Sequence, residues 1–365
     1  MNNEKFIIIV GKKVGKTSKY NLKNRYKNKV EIWDISGVRS DVSYESIDKV
    51  KRIKEEVEIE KKIEKNTKHS TYFSFDCMQG KKGLHKLCYR WIKKHNLKIV
   101  KKINSSTPTY KYGKGIIGEY TAYLGYLKRA LNRVGKISPD YILVPTKRSL
   151  REVNCTDIST KVFKLHTVDY DRYLKVRSKS AENKYGVFVD QNIPFYKEVS
   201  NVYGEKSITP KNYYYEVNMM MEKCVNSDDV NIEDFKIALH PSSSIAKAKR
   251  FLGEWEIHQG KTAEMISKSR LVVGHYSTSL LYAVMFGVPV CIFATEEMKN
   301  CAMIDVVKKV AKSFNKEIKY PRDIESINLN YSSKAYKKLK KSFVKEPGTP
   351  DMNSYSFMYE RIAGI

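Results

Sequence analysis

Residues Lys261 to Pro289, KTAEMISKSRLVVGHYSTSLLYAVMFGVP, give the clearest indication of the fold. A short helical segment comes first, and the apolar run Leu271–Val273 follows, as in a strand covered on both faces. Polar residues 274–279 interrupt the apolar sequence. It resumes as Leu280–Phe286 and stops at a glycine and a proline, as a buried helix does. This order of helix, strand, loop, helix and strand predicts an α/β fold with a parallel sheet.

The interrupting loop, GHYSTS, lies between the end of a predicted strand and the start of a predicted helix. In open α/β sheets this position binds ligands, and the free backbone N–H groups of the helix suit a phosphate. His275, Ser277, Thr278 and Ser279 are therefore candidate ligand residues. A second interpretation remains open, in which Ser277 only caps the helix, because serine and threonine are common caps.

Two further predicted strands end in residues with useful chemistry. Tyr185–Val189 is followed by Asp190, whose carboxylate would lie at the ligand-binding edge of the sheet or would form a turn before a proline. Phe235–Leu239 is followed by His240, Pro241 and Ser242. An imidazole at a strand end can hydrogen-bond to a phosphate or, when protonated, form an ion pair with it.

Other chemistries have weaker support in the sequence. None of the seven histidines forms a pair with helical ligand spacing, so we predict no metal site. The loop GHYSTS does not contain the GxSxG elbow of a serine nucleophile. Residues 11–17, GKKVGKT, are one residue short of a Walker A loop. We interpret them as the first glycine-rich turn of a Rossmann-like domain and keep an NTPase as a third alternative.

The composition sets the class of protein. A chain of 365 residues with 41% hydrophobic residues is long enough for two globular domains. The net charge of +28 favours anionic partners: nucleotide-linked substrates, phospholipid surfaces or nucleic acid. Six cysteines without a CxxC pair indicate a reducing, cytoplasmic compartment. We find no signal peptide and no apolar run near the roughly 20 residues of a membrane span.

The rest of the chain predicts two domains. Strands and helices alternate through the first half, with predicted elements at residues 6–10, 44–66, 71–76, 81–97, 98–103 and 140–144. A loop rich in glycine, serine and tyrosine at 105–118 precedes a predicted helix that runs to about residue 133. The polar stretch Arg172–Lys184 is interpreted as the linker. We therefore expect domains at 1–178 and 183–345, and a C-terminal helix at 350–365 that packs back on the first domain.

Two Rossmann-like halves, a polar hinge and a closing helix resemble the GT-B glycosyltransferase architecture, in which two such domains face a cleft. The His240–Pro241 pair, FVDQNIP from Phe188 and the stretch Gly260–Val290 are similar to bacterial surface-polysaccharide glycosyltransferases that use CMP-activated sugars, of the sialyltransferase and Kdo-transferase type. The resemblance covers mainly Tyr185–Thr295. The sialyltransferase motif of two acids and a glycine is absent, because Asp190 is followed by two amides.

The resemblance implies an inverting, metal-independent transfer of an acidic sugar (sialic or nonulosonic acid, or Kdo type). The sugar would pass from a CMP-sugar to a hydroxyl of a capsule, lipopolysaccharide or glycolipid. It implies that His240 binds the donor phosphate and assists departure of CMP, and that Asp190 is the general base. The first domain would bind the acceptor and the second the donor. The implied donor-binding residues are Pro241, Ser242, Gly260, Thr262, Glu264, His275, Ser277, Thr278 and Ser279.

The expected partners are a nucleotide-sugar donor and an oligosaccharide or lipid-linked glycan acceptor, with no cofactor and no specific nucleic acid. The charge also allows peripheral contact with the anionic inner face of the plasma membrane. Two alternatives stay open beside the NTPase. One is a transferase that uses a UDP- or dTDP-hexose, with Lys261 or Arg250 at the diphosphate. The other is a basic nucleic-acid-binding protein, although the lysines are not interleaved with aromatic residues in a recognition motif.

Overall fold

The computed structural model describes residues 4–10, 29–34, 51–53, 55–67, 70–76, 82–103, 138–147, 149, 159–177, 184–195, 208–324 and 326–362. The chain divides into two compact units. The first comprises Met1–Ser105, Tyr112–Thr167 and Gly348–Ile365, and the second comprises Ser106–Lys111 and Val168–Pro347. The predicted glycine-rich turn at 11–17, the loop at 105–118 and the helix that follows it lie outside the described residues.

The first unit is built on a seven-stranded parallel sheet with the order β3-β2-β1-β4-β5-β6-β7. Its strands are β1 (Glu4–Val10), β2 (Val30–Asp34), β3 (Lys51–Arg52), β4 (Ser70–Asp76), β5 (Lys98–Lys102), β6 (Tyr141–Val144) and β7 (Lys161–Lys164). The described helices before β5 are α1 (Glu56–Lys65) and α2 (Lys82–Lys94). The helix predicted over 44–66 is wrong in part, because residues 51–52 pair with β2 and the helix begins only at Glu56.

Side chains of β1 alternate between the two faces of this sheet, as the pleat requires. Ile7 and Ile9 pack with buried residues of α1 and α2 on one face. Phe6 and Ile8 pack on the other face with the last helix of the chain, α11 (Ser354–Ile362). The helix buries Tyr355, Phe357, Met358, Tyr359 and Ile362 in this way, so the end of the chain belongs to the core of the first unit.

The second unit has a six-stranded parallel sheet with the order β10-β9-β8-β11-β12-β13. The strands are β8 (Tyr185–Val189), β9 (Asp234–Leu239), β10 (Glu256–Gln259), β11 (Leu271–Gly274), β12 (Val290–Phe293) and β13 (Ile318–Lys319). The α-helices of its described residues are α3 (Val168–Val176), α4 (Pro210–Val225), α5 (Ile245–Leu252), α6 (Thr262–Ile266), α7 (Leu280–Phe286), α8 (Glu296–Lys299), α9 (Met303–Phe314) and α10 (Ser333–Leu339). Read from its own first strand, the order is 3-2-1-4-5-6, which is the Rossmann arrangement.

The first residues of the polar linker predicted at Arg172–Lys184 form a helix instead, and its residues 178–183 lie outside the described residues. Residues 168–176 are helix α3, whose Tyr170 and Val176 are buried in the core of the second unit. The hydroxyl of Tyr282 in α7 donates to the carboxylate of Asp169 over 2.8 Å and ties this helix to the unit. The sequence did not predict this helix, because its few apolar positions lie among charged residues.

The structure confirms the predicted fold class: the protein is α/β, with two units that each contain a parallel sheet and covering helices. It also confirms the order of helix, strand, loop, helix and strand in 261–289. Helix α7 ends at Gly287, whose φ of 72° is left-handed, as expected of a glycine helix stop. Within the described ranges, no helix is both long and apolar enough to cross a bilayer.

Candidate functional site

The site is built at one edge of the second sheet. Because all of its strands are parallel, β8, β9 and β11 end at the same edge, and β8 lies between the other two. Asp190 follows β8, His240 follows β9, and residues 275–279 follow β11. The sheet order reverses between β8 and β11, and in doubly wound sheets the ligand crevice lies at such a point.

The carboxylate of Asp190 is directed into the protein. Asp190 is only 2% exposed. One carboxylate oxygen accepts the hydroxyl of Tyr214 over 3.4 Å, and the other accepts the hydroxyl of Ser243 and the backbone N–H of His240 over 3.4 and 3.5 Å. Burial raises the pKa of the Asp190 carboxyl, opposed by hydrogen bonds from the N–H groups of Asn192 and His240. The carboxylate therefore clamps helix α4 and the loop after β9.

This geometry favours a positioning role for Asp190 over the general-base role that the resemblance implies. A base has to come within hydrogen-bond reach of the acceptor hydroxyl. The oxygens of Asp190 are covered by groups from α4 and from the β9 loop, and they present almost no surface to a ligand. The carboxylate therefore affects the site indirectly, by holding His240, Ser243 and Tyr214 in place.

His240 lies beside this clamp and is partly exposed. Its Nδ1 accepts the backbone N–H of Ser242 over 3.2 Å and lies 2.7 Å from the Ser242 hydroxyl. Because Nδ1 accepts from the backbone, the proton of the neutral ring is on Nε2. The side-chain amide of Gln259, at the end of β10, donates to the carbonyl oxygens of His240, Pro241 and Ser243. The loop that carries His240 is thus held from both neighbouring strands.

A polar pocket with a volume of about 160 Å³ opens between the β8 and β9 loops. It is lined by Asn192, Phe195, Tyr214, Ser242, Ser243, Ser244, Lys247 and Ala248. Among the described lining residues, Lys247 is the one cation and none is a carboxylate. Ser244 caps helix α5 by accepting the N–H of Lys247, so the N-terminus of that helix also faces this region. Hydroxyls, a lysine and a helix N-terminus together favour an anionic ligand.

His275 does not face a ligand, which corrects the expectation that it binds the donor. The residue is 0% exposed. Nδ1 lies 2.7 Å from the carbonyl oxygen of Phe293, which can only accept, and Nε2 lies 2.9 Å from the hydroxyl of Tyr213. Burial lowers the pKa of His275 to about 4, so the ring is neutral near pH 7. His275 is a structural residue that links β11, β12 and α4.

The remaining residues of the β11 loop are partly exposed, and Ser279 rather than Ser277 occupies the N-cap of α7. The Ser277 hydroxyl accepts the N–H of Ser279 over 3.1 Å and so braces the turn before the helix. The N–H of Tyr276 donates to the side chain of Gln191 over 3.0 Å, which joins this loop to the β8 loop. Ser277, Thr278 and Ser279 lie across β8 from the strand that carries His240.

The structure places the other predicted residues near the β10 end of the site. Pro241 and Ser242 lie in the His240 loop and are exposed. Gly260 directly follows Gln259 with a left-handed φ of 79°. Thr262 is the first residue of α6, and Glu264 is exposed in its first turn. The structure therefore groups Asp190, His240 and Ser242 closely, and it leaves Glu264 on the surface.

Several residues of the site were missed in the sequence. Tyr213 and Tyr214 lie in a run of three tyrosines in which only Tyr215 is exposed, at 59%. The positions of these tyrosines around helix α4 could have distinguished the two buried ones from the exposed one. The sequence does not predict that Phe195 and Lys247 line the same pocket, because their proximity depends on how the β8 and β9 loops approach each other. Among the residues that the structure describes, no group of three histidine, cysteine, aspartate or glutamate side chains could hold a metal ion.

Neither a protein-family model nor a curated protein matches the sequence. Among solved structures, the chain is similar to a UDP-GlcNAc 2-epimerase from Methanocaldococcus jannaschii, with 13% identity, a TM-score of 0.46, and coverage of 92% of this chain and 98% of that one. It is similar to the wall teichoic acid polymerase TagF, with 10% identity, a TM-score of 0.46, and coverage of 92% and 82%. It is also similar to a UGT transferase from Siraitia grosvenorii in complex with UDP, with 11% identity, a TM-score of 0.40, and coverage of 79% and 81%. Likeness at these scores and identities does not transfer an activity or a substrate to this chain.

Proposed function

We propose that the protein is a GT-B type glycosyltransferase whose second unit binds a nucleotide-linked sugar donor. One observation carries the proposal. His240 is oriented through Nδ1 at the ligand-binding edge of a Rossmann sheet, next to a pocket whose described lining contains a lysine, three serines and no carboxylate. This combination suits a leaving group that carries phosphate.

In the proposed reaction an acceptor hydroxyl attacks the anomeric carbon of the donor sugar. A new C–O bond forms as the bond between that carbon and the phosphate oxygen breaks, and in-line attack inverts the configuration. Negative charge grows on the departing phosphate. The Nε2–H of His240 and the hydroxyls of the β9 loop stabilise it by hydrogen bonding.

We assign Asp190 a positioning role. Its carboxylate holds the His240 backbone, the Ser243 hydroxyl and the Tyr214 ring in one arrangement. The base that accepts the proton of the attacking hydroxyl is a different group. Ser277, Thr278 and Ser279 present hydroxyls on the other side of β8, at the switch point of the sheet, where we propose that they contact the nucleotide.

We propose CMP as the nucleotide, with an acidic sugar as the transferred group and a surface glycan as the acceptor. One phosphate can be neutralised by a histidine and hydroxyls. Lys247 supports the second candidate, a UDP- or dTDP-hexose donor, because its ammonium in the pocket could meet a second phosphate.

Thermal unfolding with added nucleotides tests the proposal. We expect CMP to raise the Tm, because a bound ligand adds RT ln(1 + [L]/Kd) to the free energy of unfolding, while ATP with magnesium and a short oligonucleotide do not raise it. His240→Ala should remove the CMP effect. His258→Ala, which changes a histidine of β10 in the same unit, is the matched control and should retain it. A stronger effect of UDP would favour the second candidate, and selective stabilisation by ATP with magnesium would favour an NTPase.

The role of Asp190 has its own test. A general base replaced as Asp190→Asn would lose donor transfer but keep CMP binding intact. A positioning residue would lose CMP affinity as well, because the neutral amide cannot accept from all three donors. Tyr214→Phe removes one of these hydrogen bonds and should weaken CMP binding to a smaller extent. CMP titration of the three proteins by calorimetry separates the two roles.

A further inference from the structure

A row of lysines on the second unit has no part in the site described above. Helix α10 and the π-helical turn after it, Lys340–Val344, expose Lys334, Lys337, Lys338 and Lys341. Three of these lysines lie three, four and seven residues after Lys334, which places all four on one side of the segment. These four residues are called the lysine face. The opposite side is buried in the core through Tyr336, Leu339, Phe343 and Val344.

The lysine face lacks counter-charges. Residues 331–345, YSSKAYKKLKKSFVK, contain six lysines and no aspartate or glutamate, and Glu346 beyond them is buried. Within the described part of the chain, no carboxylate pairs with the four lysines of the face. Helix α1 shows the contrasting pattern, because its lysines alternate with glutamates and Lys62 pairs with Glu58 over 2.6 Å.

The surroundings of the face extend its positive charge. Helix α9 packs beside α10, with the rings of Phe314 and Tyr336 in edge contact at 5.9 Å. It exposes Lys308 and Lys312, and its one acidic residue, the exposed Asp305, lies in its first turn. Lys340 and Lys345 do not belong to the face, because both ammonium groups lie over the ring of Tyr170.

We propose that the lysine face binds the anionic surface of a phospholipid bilayer. Clusters of four to eight lysines on an amphipathic helix suit acidic lipid head groups, and each one near the surface contributes to binding. The face contains lysine only, without the arginines that bind phosphate in a fixed bidentate geometry. Tyr331, which is 41% exposed and stacks on Tyr336 at 4.6 Å, adds an amphipathic ring at its edge.

This surface is independent of the proposed reaction and would remain if the chain transferred no sugar. A bilayer presents a plane of charge that four lysines in a row can meet together. A nucleic acid bound through its bases would instead require exposed aromatic side chains or base-reading groups along the face. The face has none between Lys334 and Lys341, since Tyr336 is buried there.

Sedimentation of the full chain with vesicles tests the proposal. We expect binding to phosphatidylcholine vesicles that contain phosphatidylglycerol, no binding to pure phosphatidylcholine, and loss of binding at high salt. Replacing the four lysines of the face by glutamine should lower the binding constant by roughly tenfold or more. The matched control replaces by glutamine four lysines that are exposed elsewhere in the same unit, Lys184, Lys211, Lys249 and Lys299. Its affinity for the vesicles should fall far less.

Two outcomes would overturn the assignment. Equal losses in the two quadruple variants would mean that only net charge matters. If the lysine-face variant bound vesicles normally but lost affinity for a short DNA duplex, the partner of this surface would be a nucleic acid. The four positions of the face are exposed, so this variant should unfold at the temperature of the parent protein. The control variant also loses the surface ion pairs Lys184–Glu233 and Lys299–Glu296, and calorimetry verifies that both variants are folded.

Discussion

The hydroxyl of Tyr213 donates a hydrogen bond to Nε2 of His275 over 2.9 Å in the interior of the second unit. On the other side of the same ring, Nδ1 donates to the carbonyl oxygen of Phe293 over 2.7 Å. One neutral imidazole therefore joins helix α4 to two strands of the sheet. A protonated ring would lose the bond from Tyr213, because Nε2 could no longer accept.

The pKa of His275 makes stability depend on pH. Burial lowers this pKa to about 4 from an unfolded value of 6.5, so the stabilisation is complete above pH 6.5 and is lost as the pH falls toward 4. We expect the free energy of unfolding to fall by about 2 kcal/mol between pH 7.5 and pH 5 through this group alone. The free energy of unfolding in urea, measured at both pH values for the parent protein and for His275→Gln, gives the contribution of this group. The raised pKa of Asp190 acts in the opposite direction and cancels in the comparison, because it is present in both proteins.

Removing the hydroxyl of Tyr213 should destabilise the second unit. Tyr213→Phe leaves Nε2 of His275 buried without its donor, which costs about 1–3 kcal/mol. Tyr215→Phe, in the exposed neighbour, is the control. Equal unfolding midpoints for the two variants would contradict the hydrogen bond.

Lys247 should contribute directly to binding of an anion in the pocket. We expect Lys247→Gln to weaken binding of the responding nucleotide by roughly tenfold, since a charge-assisted contact to phosphate is lost. Lys249→Gln removes the same charge from the same helix but does not line the pocket, so its affinity should stay close to that of the parent protein. Calorimetric titration at two salt concentrations compares them. Equal affinities would exclude Lys247 from the binding site.

Gly186 in strand β8 should tolerate no side chain. A methyl group there would lie 2.5 Å from two atoms of the Phe235 ring, which is buried on the neighbouring strand. Gly186→Ala should cost about 2 kcal/mol or more through overpacking. The double variant with Phe235→Leu should recover part of that loss, and urea midpoints of the four proteins give the coupling energy. Additive losses would show that the two residues do not conflict.

Much of the second sheet could be predicted from the sequence, because its strands are short apolar runs bounded by polar residues. The runs 271–273 and 235–239 could be assigned by composition alone, and parallel pairing then required their C-terminal ends to share one edge. The helix at 168–176 and the strand at 51–52 were missed. Their apolar positions are few, and packing rather than local sequence stabilises them.

The local sequence specifies which residue types follow the strands: a carboxylate at 190, an imidazole at 240 and hydroxyls at 242 and 277–279. Which of these residues can contact a ligand depends on tertiary packing. Asp190 and His275 follow strands just as His240 does, but Tyr214 and Ser243 cover the first, and Tyr213 and Phe293 cover the second. Burial is a property of what packs from distant parts of the chain, so no local pattern could separate the exposed histidine from the buried one.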